Sequence, residues 1–199
     1  MSDFNLTYVQ IGDLGNKIGG QEGAKGILSG ERIVVSRNDP RATGVVLNFE
    51  RKVAVASRRF VASESFTKSN SKVKFGYIDE KVVKLFGKGQ DVPFGELAVN
   101  TLLLPKHDPE ILVALGPQSR RFIKLGQFYQ LIEAQGHSQK GPLLVNGYAN
   151  IAFILDENGA PWAVRARWCP DYGGWGVDVC SVASLGEWVA GHRVLSQVA

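Results

Sequence analysis

The sequence predicts an α+β fold on three observations. Between about residues 148 and 182, apolar side chains alternate with small or polar ones through three short runs separated by turn residues, the period-two signature of an antiparallel meander. Between about 120 and 135, Phe122, Leu125, Phe128, Tyr129 and Ile132 recur at helical spacing, which predicts one long amphipathic helix with a stripe packed on the sheet. An amino-terminal run of strand-like segments then precedes mixed helices and strands, rather than regular βα alternation. The 199 residues read as a single domain, with a soft boundary near residues 87–93 between a basic β-region at 32–78 and an α+β part at 94–199.

From the amino terminus, Asn5 to Ile11 reads as a strand. Residues 12–30 hold seven glycines, too many for a stable helix or strand interior, and no phosphate-loop or dinucleotide fingerprint occurs among them. Arg32–Ser36 and Thr43–Phe49 read as strands, Arg51–Val61 stays extended, Ser63–Ser71 is a polar loop, and Lys72–Ile78 is a further strand in which Val73, Phe75 and Tyr77 share the inner face. Asp79 is placed to cap a short helix at about Glu80–Phe86, with Gly87 closing it in the left-handed conformation. Ala98–Leu104 reads as a buried strand. Asp108-Pro109-Glu110 starts a helix, since proline is tolerated at the first helical position and acidic residues suit the positive end of the dipole, and Gly116-Pro117 ends it.

Ser119 is placed to cap the long helix and Gly136 to close it. In the meander, Asn158-Gly159 suits a two-residue type I′ turn, which sets Leu155 opposite Trp162, Phe153 opposite Val164 and Ile151 opposite Ala166, all on one face. Pairing Trp168 with Trp175 then sets Arg165 opposite Asp178 on the other face, and the three tryptophans Trp162, Trp168 and Trp175 read as core. Ser184 and Glu187 have capping-box spacing, which predicts a helical turn before a final extended Arg193–Val198.

Composition is that of a globular chain, 44% hydrophobic and 21% charged, with no apolar run of membrane-spanning length and no secretion signal, so a cytoplasmic protein is expected. Cys169 and Cys180, placed in a turn and far along the next strand, are not expected to pair. The three histidines are scattered, and no metal-ligand spacing, cofactor motif or catalytic constellation is found. The His107-Asp108 neighbours are the nearest approach to one.

Charge is the feature that points to function. Residues 32–88 carry 13 Lys or Arg against 5 Asp or Glu, a net +8 within a chain of net +4. Cations on strands with aromatics between them suit a nucleic-acid surface, where cations meet phosphates and rings stack on bases. The expectation is therefore a non-enzymatic, nucleic-acid-binding protein, single strands favoured, with little sequence specificity. Arg51, Lys52, Arg58, Arg59, Lys72 and Lys74 would neutralise phosphates, and Phe66, in the polar loop, would stack on a base. Ser119, Arg120 and Arg121 form a second candidate, because two arginines in a first helical turn oppose the dipole and call for an anion. Phe75-Gly76-Tyr77-Ile78 matches the centre of the RNP1 pattern of RNA-recognition strands, but Val73, Lys74 and Glu80 break its flanks, and no such fold is read from it. The alternative is an assembly or protein-interaction module that docks on itself or on an acidic partner through the same basic face.

Overall fold

The computed structural model describes residues 44–184 and 186–198. The chain divides into Met1–Val45 and Val46–Ala199, and the second unit is the one whose fold follows. The expected strands at Asn5–Ile11 and Arg32–Ser36 and the glycine-rich stretch 12–30 lie outside the described residues.

Among the described residues, seven strands form one mixed, mostly antiparallel sheet. They are β1 (Leu47–Val55), β3 (Phe75–Ile78), β5 (Gly95–Leu102), β7 (Asn150–Leu155), β8 (Pro161–Cys169), β9 (Gly174–Ser181) and β11 (Arg193–Gln197), in the order β1-β5-β11-β7-β8-β9-β3. The β11–β7 and β9–β3 pairs are parallel and the remaining neighbours antiparallel. Two-stranded ribbons join β2 (Arg58–Phe60) to β4 (Gln90–Val92) and β6 (Lys106–His107) to β10 (Glu187–Trp188). The helices are short: α1 (Ala62–Ser65), α2 (Lys81–Phe86), α3 (Asp108–Ala114), α4 (Gln118–Arg121) and α5 (Leu125–Ala134).

Both sheet faces are covered where β7 and β11 run. On one face Leu97, Val99, Ala152, Ile154, Val164, Trp175 and Leu195 join the buried residues of α5, α2 and the β2–β4 ribbon. On the other, Leu102, Ile151, Phe153, Ala163 and Val194 pack with Ile111, Leu112 and Leu115 at α3. This double burial overturns the expected hairpin register. The pairs are Ile154 with Trp162, Ala152 with Val164 and Ile151 with Arg165, one residue from the expected set. A strand buried on one side only would have rejected that slip, whereas β7 is apolar on both sides and accepts it. The turn is correspondingly longer. Asp156 Oδ1 accepts from the Asn158 and Ala160 amides, and Gly159 takes φ 81°, as in a type I turn with a glycine bulge. The β8–β9 register agrees with expectation, Trp168 opposite Trp175 and Arg165 opposite Asp178, with the guanidinium 2.8 Å from the carboxylate.

No long helix spans 120–135. The ten-residue α5 begins at Leu125, after Phe122 has adopted extended backbone, bridged to Phe153 of β7, and the Ile123 amide has donated to the Phe153 carbonyl. Phe122 packs in the α3 cluster and Ile123 in the α5 cluster, so the chain crosses from one face to the other here, and a continuous helix could not make both contacts. Nor is α5 one-sided: seven of its residues are buried, among them Gly126 and Gln127. A Cβ on Gly126 would overlap a Val92 methyl and lie 2.7 Å from the Phe60 ring. Gly126→Ala should therefore cost about 1 kcal/mol net, overpacking outweighing the helix-propensity gain, read as a lower urea midpoint. A raised midpoint would show that the β2–β4 ribbon yields.

Three further expectations are corrected. Glu187–Trp188 is extended and paired with β6, not helical, because Trp188 Nε1 reaches back to donate to buried Asp108 at 2.6 Å. Gly87 keeps φ −68° and is required by space, since a Cβ there would lie 2.5 Å from the Val83 carbonyl oxygen. Tyr77 does not share a face with Phe75: the irregularity at Gly76 shifts the β3–β9 register, and Tyr77 is 54% exposed.

Candidate functional site

The basic strands do not form one surface. β1 and β3 are opposite ends of the seven-stranded order, and β2 belongs to a separate ribbon. Arg51 and Lys52 therefore sit on β1, with Lys52 Nζ 3.5 Å from Glu96, while Lys74 lies beside β3. What the fold does bring together is Arg58, Arg59 and Lys72. They line an open cleft of about 720 Å³ with Ser65, Thr67, Ser69, Asn70, Ser71, Tyr129, Glu64 and Glu133.

Its geometry rests on Asn70 and Glu133. Asn70 Oδ1 accepts from the Lys72 and Val73 amides, and its Nδ2 donates to the Ser65 carbonyl and to the Tyr129 hydroxyl, both at 2.7 Å. This closes the hydroxyl-rich loop against α5. Glu133 projects from α5 to bridge two cations, with Arg58 Nη1 at 2.6 Å and Lys72 Nζ at 3.3 Å. Burial opposes ionisation of Glu133, but the hydrogen bonds and charges of Arg58 and Lys72 outweigh it and hold the carboxyl below its ordinary value. Arg58 also lies 5.5 Å from the Tyr129 ring centroid. Burial raises the Tyr129 hydroxyl, with Glu133 adding to the effect and Asn70 and Arg58 opposing it. Arg59 is the most available of the three cations, its side chain 71% exposed and its carboxylate partner, Asp91, 3.8 Å away and more exposed still.

Phe66 is not placed for stacking on a base. It is buried, its ring 5.2 Å from Tyr129 and 5.5 Å from Phe75, because helix α1 turns the start of the expected loop inward. Ser119, Arg120 and Arg121 lie in the four-residue α4, whose cap is Pro117 rather than Ser119. The Arg121 Nε donates to the Gly116 carbonyl at 2.7 Å, so that guanidinium closes the preceding turn. Arg120 is exposed beside a smaller cleft lined by Phe49, Leu115 and Gln197.

The His107-Asp108 pair has structural partners. Asp108 accepts from Trp188, and burial raises its carboxyl against the opposing Trp188 bond and His107 charge. His107 Nδ1 lies 3.3 Å from the Gly186 carbonyl. His192 accepts the Ala149 amide on Nδ1, and burial followed by the charge of Arg165 lowers it, which keeps that nitrogen an acceptor. Cys169 and Cys180 are free thiols. Among the described residues no group of three or more His, Cys, Asp or Glu is placed to hold a metal, and no helix is long and apolar enough to cross a membrane.

Sequence reasoning missed Glu133, Asn70 and Tyr129. A carboxylate four residues from Tyr129 on a helix reads as part of a solvated face, and only the approach of β2 and the loop converts it into a bridge. Comparison with family models, curated proteins and solved structures finds no match.

Proposed function

We propose that the chain binds nucleic acid, single strands before duplex, through phosphate contacts in the Arg58–Arg59–Lys72 cleft and with little sequence preference. The observation that carries this reading is the convergence of those three cations with four Ser or Thr hydroxyls around one open cleft, the donor set a phosphodiester backbone takes up. Asn70, the amide in the cleft, has both ends of its side chain engaged by the loop backbone and the Tyr129 hydroxyl, which agrees with weak sequence preference. A cleft lined so largely by polar and charged side chains does not suit an apolar ligand.

The test is fluorescence anisotropy of labelled single-stranded and duplex oligonucleotides across a salt series. Three phosphate contacts predict a log–log slope of about −2 for single strands. Arg59→Ala and Lys72→Ala should each reduce that slope by about 0.7 and weaken binding several-fold. Absence of binding at low salt, or a slope that both variants leave unchanged, would refute the reading.

A further inference from the structure

A second cleft, of about 390 Å³, opens on the other side of the β3 edge. Gly76, Gly174 and Gly176 line it together with Tyr77, Tyr172, Arg165, Arg167, Cys169 and Asp178. The glycines supply no side chains to fill it. Tyr172 Cβ lies 3.5 Å from where a Cβ on Gly76 would stand, and Tyr77 Cβ lies 4.0 Å from the same point on Gly176, so the tyrosines rise from bare backbone. They are 54% and 74% exposed, for Tyr77 and Tyr172, and neither ring stacks on another aromatic among the described residues.

The charges of Arg165, Arg167 and Asp178 in this cleft, and of Lys74 beside it, divide in a way that favours an anion. Arg165 is taken by Asp178 through two hydrogen bonds. Arg167 and Lys74 are exposed, and among the described residues neither side chain has a carboxylate within ion-pair distance. Lys74 Nζ stands 3.2 Å from the Cβ position of Gly173, beside Tyr172. Two open rings next to two available cations suit a planar base attached to a phosphate.

The two clefts lie along one stretch of chain, residues 72–77, whose last three residues belong to β3. Lys72 lines the first, Gly76 and Tyr77 line the second, and Lys74 lies between them beside β3, the last strand of the sheet. Fully extended, those residues would span about 16 Å, so the clefts are no further apart along the chain than a few nucleotides cover. We infer that a single strand bound at the Arg58–Arg59–Lys72 cleft continues past Lys74 around the β3 edge and stacks its bases on Tyr77 and Tyr172, with Arg167 meeting a phosphate. This inference rests on the phosphate-binding reading and adds base recognition by stacking, which tolerates any base because every base has a π-face.

The experiment compares a labelled oligothymidylate with an abasic oligonucleotide of equal length, which keeps the phosphates and lacks the rings. The wild-type chain should bind the thymidylate roughly tenfold or more tightly than the abasic strand. The double variant Tyr77→Ala/Tyr172→Ala should abolish that difference and leave the salt slope unchanged, and Tyr77→Phe/Tyr172→Phe should restore it. Gly176→Leu, whose Cβ meets only ordinary contacts, should block the cleft with the same outcome. Equal wild-type affinity for the two strands, or a preference that survives the alanine pair, would overturn stacking while phosphate binding stands. Failure of both strands to bind at low salt would overturn both proposals together.

Discussion

Gly136→Ala is expected to destabilise the fold by about 3 kcal/mol or more, at the upper end of overpacking penalties. The glycine is needed for space. A Cβ there would overlap the Lys72 carbonyl oxygen and stand 2.9 Å from its carbonyl carbon and 3.1 Å from the Val73 Cα. These are backbone atoms, so no rotamer change relieves them. The contact is also a junction: the Lys74 amide donates to the Gly136 carbonyl at 3.0 Å, the Trp175 amide donates to the Lys74 carbonyl at 2.7 Å, and Trp175 Nε1 donates to the Gln135 carbonyl at 2.9 Å. Moving residues 72–74 away would loosen the end of α5 and the β3 edge together. Urea unfolding should show a lower midpoint with an unchanged slope, the sign of lost native stability rather than a changed denatured state. A loss below about 1 kcal/mol would mean that the two backbones separate without consequence, contrary to the hydrogen-bond set they share.

Glu133→Gln is expected to act in opposite directions on stability and on binding. The carboxylate is only partly buried, so losing its charge should cost about 1–2 kcal/mol, between the values for surface and fully buried pairs. In binding, neutralising it removes the carboxylate that competes with phosphate for Arg58 and Lys72, and oligonucleotide affinity at low salt should rise about tenfold. The pH dependence supplies an independent check. Glu133 is held below its ordinary value of 4.5 in the fold, so its stabilisation is present above that pH and is lost as the pH falls through the lower folded value. Over the same interval protonation releases the two cations, so wild-type binding should tighten in acid. The glutamine variant should lose both pH dependences. Weaker binding by Glu133→Gln at every pH would show that Glu133 positions the cations for the ligand rather than competing with it.

Glu133 also shows where reading the sequence stops. Arg58, Arg59 and Lys72 were legible as cations on or near extended segments, yet six basic residues assigned to one face are distributed over two sheet edges and a separate ribbon. Charge per segment counts cations correctly and says nothing about which strand ends up beside which. Phe66 was misplaced for a related reason: in a run of polar residues an isolated ring reads as exposed, but four residues of helix suffice to turn it into the Phe60–Tyr129–Phe75 cluster. The hairpin was half legible. Asn158-Gly159 marks the turn, whereas Asp156, which accepts from two turn amides and from Trp162 Nε1, lengthens it and moves the register by one.

By itself the sequence determined the features that depend on near neighbours. These include the α+β character, the strand periodicity of β8 and β9 with the Arg165–Asp178 pairing, the start of α3 at Asp108-Pro109, and its end at Gly116, where φ is 89°. Each follows from the conformational preference or alternation of a few adjacent residues. Only the tertiary structure decided the sheet order, the double burial of β7, the division of the expected long helix at Phe122–Ile123, and the gathering of Arg58, Arg59 and Lys72 around Glu133. The physical reason is common to all four. Strand neighbours and ion-pair partners are chosen by contacts between residues far apart in the chain, and those contacts override local propensity wherever a segment can be buried on more than one side.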